Sequence, residues 1–139
     1  MHHGLRVYRH SMKVLFVGSN PSEANLKTEQ PFIGTRSHKK LLQWIDWLGV
    51  EDYTLINASD KLGSVTLGDM NFDRLQDSMI RHDVVIALGR VAEKAVKTAG
   101  RKDYLYLPHP SPRNRVLNDK HIEHWYIDSV RLSLFLKAI

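Results

Sequence analysis

Two short polar segments of this chain hold the residue types that could do chemistry: GSNPS at positions 18–22 and HPSPRNR at positions 109–115. Asn20 precedes a proline, which restricts it to extended backbone conformations, and its carboxamide can orient a water or a substrate without being a strong base. His109 can donate a hydrogen bond to a carbonyl oxygen that gains negative charge in a transition state. Each segment also has a plainer interpretation, the first as an Asn-Pro turn and the second as a proline-rich surface loop.

The second segment also carries groups suited to binding phosphate. Its prolines remove backbone donors and fix φ, so it belongs neither to a helix interior nor to a central strand. Ser111 can donate to a phosphate, and Arg113 and Arg115 can pair with phosphates or enter a base stack. The chain as a whole has a net charge of +5 and a sequence pI near 9.6. Both features favour a polyanionic partner.

The composition excludes several kinds of chemistry. The 139 residues include no cysteine, which rules out disulfides, thiolate nucleophiles and cysteine-ligated iron–sulfur clusters and fits a reducing compartment. The longest apolar run is far short of a membrane span, and residues 1–11 lack the apolar stretch of a secretory signal. We therefore expect a cytoplasmic or nucleoid-associated protein that does not bind membranes. We expect residues 1–11 to be a tail, with Met12 as a plausible original start.

Strands and helices alternate along the chain and must position the two polar segments. Short apolar runs rich in β-branched residues predict strands, at 13–18, 53–58, 83–89 and 103–108. Amphipathic stretches with capping residues predict helices, at 37–49, 71–81, 90–100 and from 119 onward. This alternation favours right-handed crossovers and a parallel sheet covered on both faces. We predict an α/β fold, a three-layer α/β/α sandwich around a central four-stranded parallel sheet, in one domain spanning residues 1–139.

The first predicted helix has an amphipathic pattern next to a basic run. Ser37 is its expected cap and Gly49 its expected end. The apolar residues expected on its buried face are Leu41, Leu42, Ile45 and Leu48. Trp44 and Trp47 are expected to pack in the core or at its rim. The basic run, which either shares a DNA groove with the late arginines or is a solvated helix start, comprises Arg36, His38, Lys39 and Lys40.

Four segments should meet at the carboxyl edge of the sheet, where ligands of parallel sheets bind. They are GSNPS, Asn57 at the end of the second strand, GRVA after the third strand, and HPSPRNR. GRVA lacks the GxxxxGK[ST] and GxGxxG patterns, so no nucleoside triphosphate or dinucleotide site is predicted. His121 and His124 lack a zinc-like framework and are expected to be surface histidines. We therefore expect no metal and no cofactor.

GSNPS resembles the first motif of the uracil-DNA glycosylase superfamily, and HPSPRN resembles its second. The pairing is most similar to the single-strand-selective monofunctional branch. The first half also resembles the mismatch-specific uracil and thymine glycosylases, in which an Asn-Pro is followed by a loop, a Pro-Phe like Pro31-Phe32, and a helix. The resemblance covers most of the chain through the order of its elements and is specific in the two motifs, Phe32 and Asn57. It implies the strand order 2-1-3-4.

The resemblance implies a catalytic pair and a base-binding set. Asn20 would position the attacking water, and His109 would stabilise the leaving base through its O2 oxygen. Phe32 would stack on the flipped base, and Asn57 would hydrogen-bond the pyrimidine edge and reject cytosine. The complete base-binding set would be Gly18, Ser19, Ser22, Phe32 and Asn57.

The resemblance also implies a DNA-binding set in the second motif. Ser111 and the adjoining backbone would hold phosphate, while an arginine or the asparagine would fill the gap left by the extruded nucleotide. The set comprises Ser111, Pro112, Arg113, Asn114 and Arg115.

Two departures from the fastest uracil glycosylases affect the expected substrate and rate. Asn20 stands where those enzymes have aspartate, so slower activation of water is expected. Ser22 stands where they have a tyrosine that blocks bulky pyrimidines, so a group at the 5-position of the base could enter. Hydroxymethyluracil is therefore a candidate substrate beside uracil. No lysine lies in either motif, which favours attack by water over a Schiff base.

Three functions fit the sequence. The first is a monofunctional, monomeric DNA glycosylase acting on uracil or a 5-modified uracil in single- or double-stranded DNA. The second is a catalytically weak or inactive glycosylase-like protein that binds DNA or a base, which would bind oligonucleotides tightly without releasing base. The third is a small α/β enzyme acting on free nucleosides or nucleotides, which should be indifferent to salt, whereas phosphate-backbone binding weakens steeply as salt rises.

Overall fold

Four parallel strands form one sheet in the order β2-β1-β3-β4, the order that the resemblance implied. The computed structural model describes residues 12–20 and 36–139. Its strands are β1 (Val14–Gly18), β2 (Tyr53–Asn57), β3 (Val84–Leu88) and β4 (Leu105–Leu107). Its helices are α1 (Arg36–Leu48), α2 (Phe72–Ile80), α3 (Arg90–Thr98) and α4 (Lys120–Ala138), and short 3-10 turns span Leu67–Asp69 and Arg115–Asn118.

The register of the sheet brings the strand ends together. β1 pairs with β2 as far as Gly18 opposite Asn57, and β3 pairs with β4 as far as Leu88 opposite Leu107. β1 also pairs with β3, so it lies between two neighbours. All residues of β1 and β3 are buried, because a parallel sheet is covered on both faces by its crossover helices.

Alternate residues of β1 face two separate cores, because successive side chains of a strand point to opposite faces. Val14 and Phe16 belong to a core formed with α1 and α4. Leu15 and Val17 belong to a core formed with α2 and α3. The sheet is therefore the middle of three layers, and the predicted α/β/α sandwich is confirmed.

Capping residues explain four of the eight boundaries of the α-helices. The side chains of Asn71 and Asp119 accept backbone hydrogen bonds at the starts of α2 and α4. Gly49 and Gly100 adopt positive φ beyond α1 and α3, which is where the glycines were predicted to stop these helices.

Two details of the predicted first helix were wrong. Ser37 is not the cap, because α1 already includes Arg36. Leu42 is 40% exposed, whereas Trp44 is fully buried with Leu41. The buried face of α1 is thus rotated toward the tryptophan, whose indole N–H is satisfied by a buried carboxylate from α4. Trp44 in the core and Trp47 at its rim agree with the prediction.

The surface features of α4 also match expectation. His121 and His124 are exposed, and the ring of His124 stacks on that of Trp47 with centroids 5.0 Å apart. Across residues 12–20 and 36–139, no helix has the length and apolar character needed to cross a bilayer.

Candidate active site

The predicted site segments meet at the carboxyl edge of the sheet, where backbone hydrogen bonds continue beyond the strands. The N–H of Ser59 donates to the carbonyl oxygen of Ser19 at 2.9 Å, which extends the pairing of β1 with β2. The N–H of Gly89 donates to the carbonyl oxygen of Leu107 at 2.8 Å, which joins the turn after β3 to the end of β4. The loops that carry the candidate residues therefore begin at backbone positions that are held by hydrogen bonds between neighbouring strand ends.

The carboxamide of Asn20 is held by three hydrogen bonds. Its Nδ2 donates to the carbonyl oxygens of Lys61 at 3.0 Å and Gly63 at 2.6 Å, both in the loop after β2. Its Oδ1 accepts from the hydroxyl of Ser19 at 2.8 Å. Since two carbonyl oxygens require the NH₂ group on their side, the orientation of the amide is fixed. The Oδ1 atom keeps a second lone pair with which to accept from a water.

The imidazole of His109 is half-buried and has a defined tautomer. The backbone N–H of Ser111 donates to Nδ1 at 3.1 Å, so a neutral ring carries its proton on Nε2. Burial lowers the pKa of His109 below its ordinary value of 6.5, because desolvation disfavours the charged form. The ring is therefore neutral at neutral pH and can act as a donor through Nε2.

Gly89 lies closely against His109, a contact that sequence reasoning missed. It has φ of +89°, and a Cβ built on it would lie 3.1 Å from the Cβ of His109. Only glycine combines this backbone conformation with so close an approach. The signal for it in the sequence is a glycine placed directly between a buried strand and a helix, within GRVA.

Asn57 holds a buried acceptor that the described residues leave without a donor. Its side chain is buried at the end of β2, and its Oδ1 has no hydrogen-bond partner there. An unsatisfied buried polar group costs about 1–3 kcal/mol, so it calls for an explanation such as a ligand donor. Arg74 holds the backbone of the same residue, since its Nη2 donates to the Asn57 carbonyl oxygen at 2.6 Å while Nη1 pairs with Asp60 at 2.8 Å.

Within the second motif, the three candidates for filling a DNA gap have different surroundings. Asn114 Nδ2 donates to the carbonyl oxygen of His109 at 3.0 Å, and its Oδ1 accepts from the N–H of Val116 at 3.2 Å. Its carboxamide therefore stabilises the loop itself. Arg113 and Arg115 are exposed. Ser111 Oγ accepts from the N–H of Arg113 at 3.2 Å, and a hydroxyl that accepts in this way can still donate to a phosphate.

The remaining sequence predictions are not addressed by this geometry. Ser22, Pro31 and Phe32 lie outside the described residues. In the described ranges, 12–20 and 36–139, no three His, Asp or Glu side chains lie together in a way that could hold a metal ion.

The comparison with known families agrees with the two motifs and with the sheet. The family model of the uracil DNA glycosylase superfamily matches residues 5–129, which include both motifs, all four strands and the first three helices. No curated protein matches the chain. Because the family match spans most of its length, this chain belongs to the uracil DNA glycosylase superfamily.

Proposed function

We propose that this protein is a monofunctional DNA glycosylase that hydrolyses the N-glycosidic bond of uracil, or of a 5-modified uracil, in a nucleotide flipped out of DNA. The observation that carries the proposal is the buried Oδ1 of Asn57, which has no hydrogen-bond partner among the described residues and lies at the same sheet edge as a neutral His109. Membership of the superfamily supports DNA as the substrate and glycosidic hydrolysis as the reaction.

Asn57 would recognise the base. The N3–H of uracil is a donor that can satisfy the orphaned Oδ1, whereas N3 of cytosine is an acceptor and would leave that oxygen unpaired. A site built to hydrogen-bond one group strongly rejects an analogue that lacks it, because the buried polar atom stays unsatisfied. Arg74 would position Asn57 through its backbone carbonyl group.

His109 would stabilise the departing base. As the bond between C1′ and N1 breaks, its electron pair moves to the base, and negative charge develops on the O2 oxygen. The Nε2 proton of a neutral imidazole can donate to that oxygen, while Ser111 holds Nδ1. Removing one preorganised donor to a developing anion costs about 100- to 1000-fold in rate.

Asn20 would orient the water that attacks C1′. Its Oδ1 can accept one hydrogen of this water while the tethered NH₂ group keeps the amide in place. A carboxamide takes up no proton, so the proton that the water loses as the C1′–O bond forms passes to the departing base anion or to solvent. We therefore expect slower turnover than with a carboxylate-activated water. Gly18 and Ser19 would form the pocket wall beside it.

The residues outside the described part keep the roles that the resemblance implies. Phe32 would stack on the base, and Ser22 would admit a substituent at its 5-position. In the second motif, Ser111 and Pro112 would contact phosphate. Arg113 or Arg115 would fill the gap left by the flipped nucleotide, and Asn114 would stabilise the loop. The protein would act as a monomer without a cofactor.

Base release from a panel of oligonucleotides tests the proposal. Uracil, hydroxymethyluracil and thymine mismatches would be presented in single and double strands at enzyme excess. We expect wild type to release at least one of these bases. His109→Ala and Asn20→Ala should abolish release while keeping the circular dichroism spectrum of wild type, and exposed His124→Ala should behave as wild type. No release of any modified pyrimidine by wild type would disprove the proposal.

A second candidate function is a glycosylase-like protein that binds DNA or a base without catalysis. The tethered carboxamide of Asn20 favours it, since this side chain can bind a ligand but cannot accept a proton. Tight binding of uracil-containing DNA without base release would identify this function.

A further inference from the structure

A basic groove lies between the start of α1 and the loop of the second motif. It has a volume of about 570 Å³ and is lined by Arg36, Lys39, Lys40, Gln43, Pro110 and Pro112. The four α1 residues are spaced i, i+3, i+4 and i+7, so they share one helix face. The opposite wall is the loop that carries His109 and Ser111. The groove therefore adjoins the proposed active site.

Two of the groove's cations are available to a ligand. Lys40 Nζ lies 2.9 Å from Oε2 of the buried Glu123, which also accepts from the indole of Trp44 at 2.8 Å. Lys40 is therefore committed to neutralising this carboxylate. Arg36 and Lys39 are exposed, and no carboxylate of the described residues forms an ion pair with either of them.

The positions of these cations oppose the stability of the helix. α1 has no acidic residue in its first turn, and Arg36 and Lys39 lie in its first four residues. Cations near a helix N-terminus interact unfavourably with the positive end of the macrodipole. Within residues 12–20 and 36–139, no acidic partner offsets this unfavourable interaction, whereas a bound polyanion would compensate for it.

We propose that the groove binds the phosphodiester backbone of the DNA strand on one side of the target nucleotide, with Arg36 and Lys39 contacting neighbouring phosphates. This inference rests on the proposed function and adds α1 as a second DNA-contacting surface, opposite the loop of the second motif. Side chains at i and i+3 start about 5–6 Å apart on one helix face, and both are long enough to reach along a strand. Pro112, on the opposite wall, is exposed, has no N–H to satisfy and can present apolar surface to the sugars.

The double variant Arg36→Gln/Lys39→Gln tests the proposal against a control with the same charge change. The control is Arg81→Gln/Lys102→Gln, because these residues precede β3 and β4 and so lie at the opposite edge of the sheet. Binding of a uracil-containing oligonucleotide would be measured across a salt series. In the groove variant, the slope of log K against log salt should fall by about two, since each phosphate contact contributes about one.

Further readouts separate binding from folding and from catalysis. At low salt the groove variant should bind about tenfold or more weakly, and base release should show the loss in KM rather than in kcat. Its melting temperature should not fall, since the removed charges oppose the helix dipole. Oligonucleotides shortened on one side of the uracil should abolish the difference between variant and wild type, and those shortened on the other side should preserve it.

Three other results would contradict the proposed role of Arg36 and Lys39. Equal salt slopes for the groove variant and the control would overturn the inference, while wild-type base release would still support the proposed function. A fall in kcat with unchanged binding would place these residues in the chemistry and also overturn it. If wild type neither binds DNA nor releases base, the proposed function fails as well.

Discussion

The side-chain NH₂ group of Asn20 donates to the backbone carbonyl oxygen of Gly63 at 2.6 Å. A second donation reaches the carbonyl oxygen of Lys61 at 3.0 Å. An ionised carboxylate has no hydrogen to donate and would place an oxygen against both carbonyl oxygens. The loop after β2 therefore requires an amide at position 20, independently of the chemistry that an aspartate could offer there.

We expect Asn20→Asp to be less stable than wild type by about 0.5–1.5 kcal/mol at neutral pH, because two exposed carbonyl oxygens lose their donors. The carbonyl oxygens should raise the pKa of the new carboxyl group, since they hydrogen-bond only its protonated form. The lost stability should then return as pH falls through that raised pKa, which denaturant unfolding across pH would measure. A variant that is as stable as wild type and faster in base release would contradict this account.

The pH dependence of base release should reflect a neutral His109. Burial lowers its pKa below 6.5, so the rate should be constant above that pH and should fall as pH falls through the lowered value. Its contribution to stability follows the same direction, being complete above 6.5 and lost as pH falls below it. A neutral donor in His109→Gln should remove this acid limb from the residual rate. A wild-type rate that rises on acidification would indicate an imidazolium donor instead.

Gly89→Ala should impair catalysis through His109. The new Cβ would lie 3.1 Å from the His109 Cβ, at a φ of +89°. We expect a loss of about 1–3 kcal/mol from backbone strain and a fall in rate of about 10- to 100-fold from displaced imidazole. Gly100→Ala is the matched control, because it has φ of +98° with nothing within 4 Å. If both variants lose stability and activity equally, the contact between Gly89 and His109 has no role in catalysis.

Glu123→Gln should destabilise the contact between α1 and α4. Burial alone raises the pKa of Glu123, but hydrogen bonds from Trp44, Lys40 and Lys120 outweigh it and lower the pKa overall. The carboxylate's contribution is therefore present above its ordinary pKa and lost as pH falls. We expect a loss of about 1–3 kcal/mol at neutral pH, with exposed Asp128→Asn as the control. Chemical denaturation should show that the free energies of unfolding of Glu123→Gln and of the control become equal in acid, where Glu123 is protonated in the control. A difference that persists in acid would assign the loss of stability to packing.

The sequence predicted the strands, the crossover pattern and the edge at which the motifs meet. It could do so because the spacing of apolar residues and the glycines that end helices are local signals. It misplaced Leu42 because it set the tryptophan aside from the apolar face: the buried residues Leu41, Trp44, Ile45 and Leu48 are spaced i, i+3, i+4 and i+7. Ser37 was predicted as a cap from its residue type alone, but α1 already includes the preceding Arg36.

The contacts that define the candidate site could not be predicted from the sequence, because they join residues that are far apart along the chain. The tether from Asn20 to Gly63 and the contact of Gly89 with His109 each join loops from different strands. Residue types suggested that Asn20 and His109 could do chemistry. The contacts between the loops then show how the Asn20 amide is oriented and why a glycine is needed at position 89. The roles of the site residues themselves stay predictions.

The placement of β1 between β2 and β3 has a consequence for how the protein is made. One edge of β1 is paired only after β2 has been made and its other edge only after β3 has been made, and such long-range pairing is slow to form. His109 follows the last strand of the sheet, so a nascent chain that stops before this residue has Asn20 and Asn57 but no partner for them. If Asn20, Asn57 and His109 act together as proposed, base release at this edge requires the complete sheet, and a chain truncated before β4 should release no base.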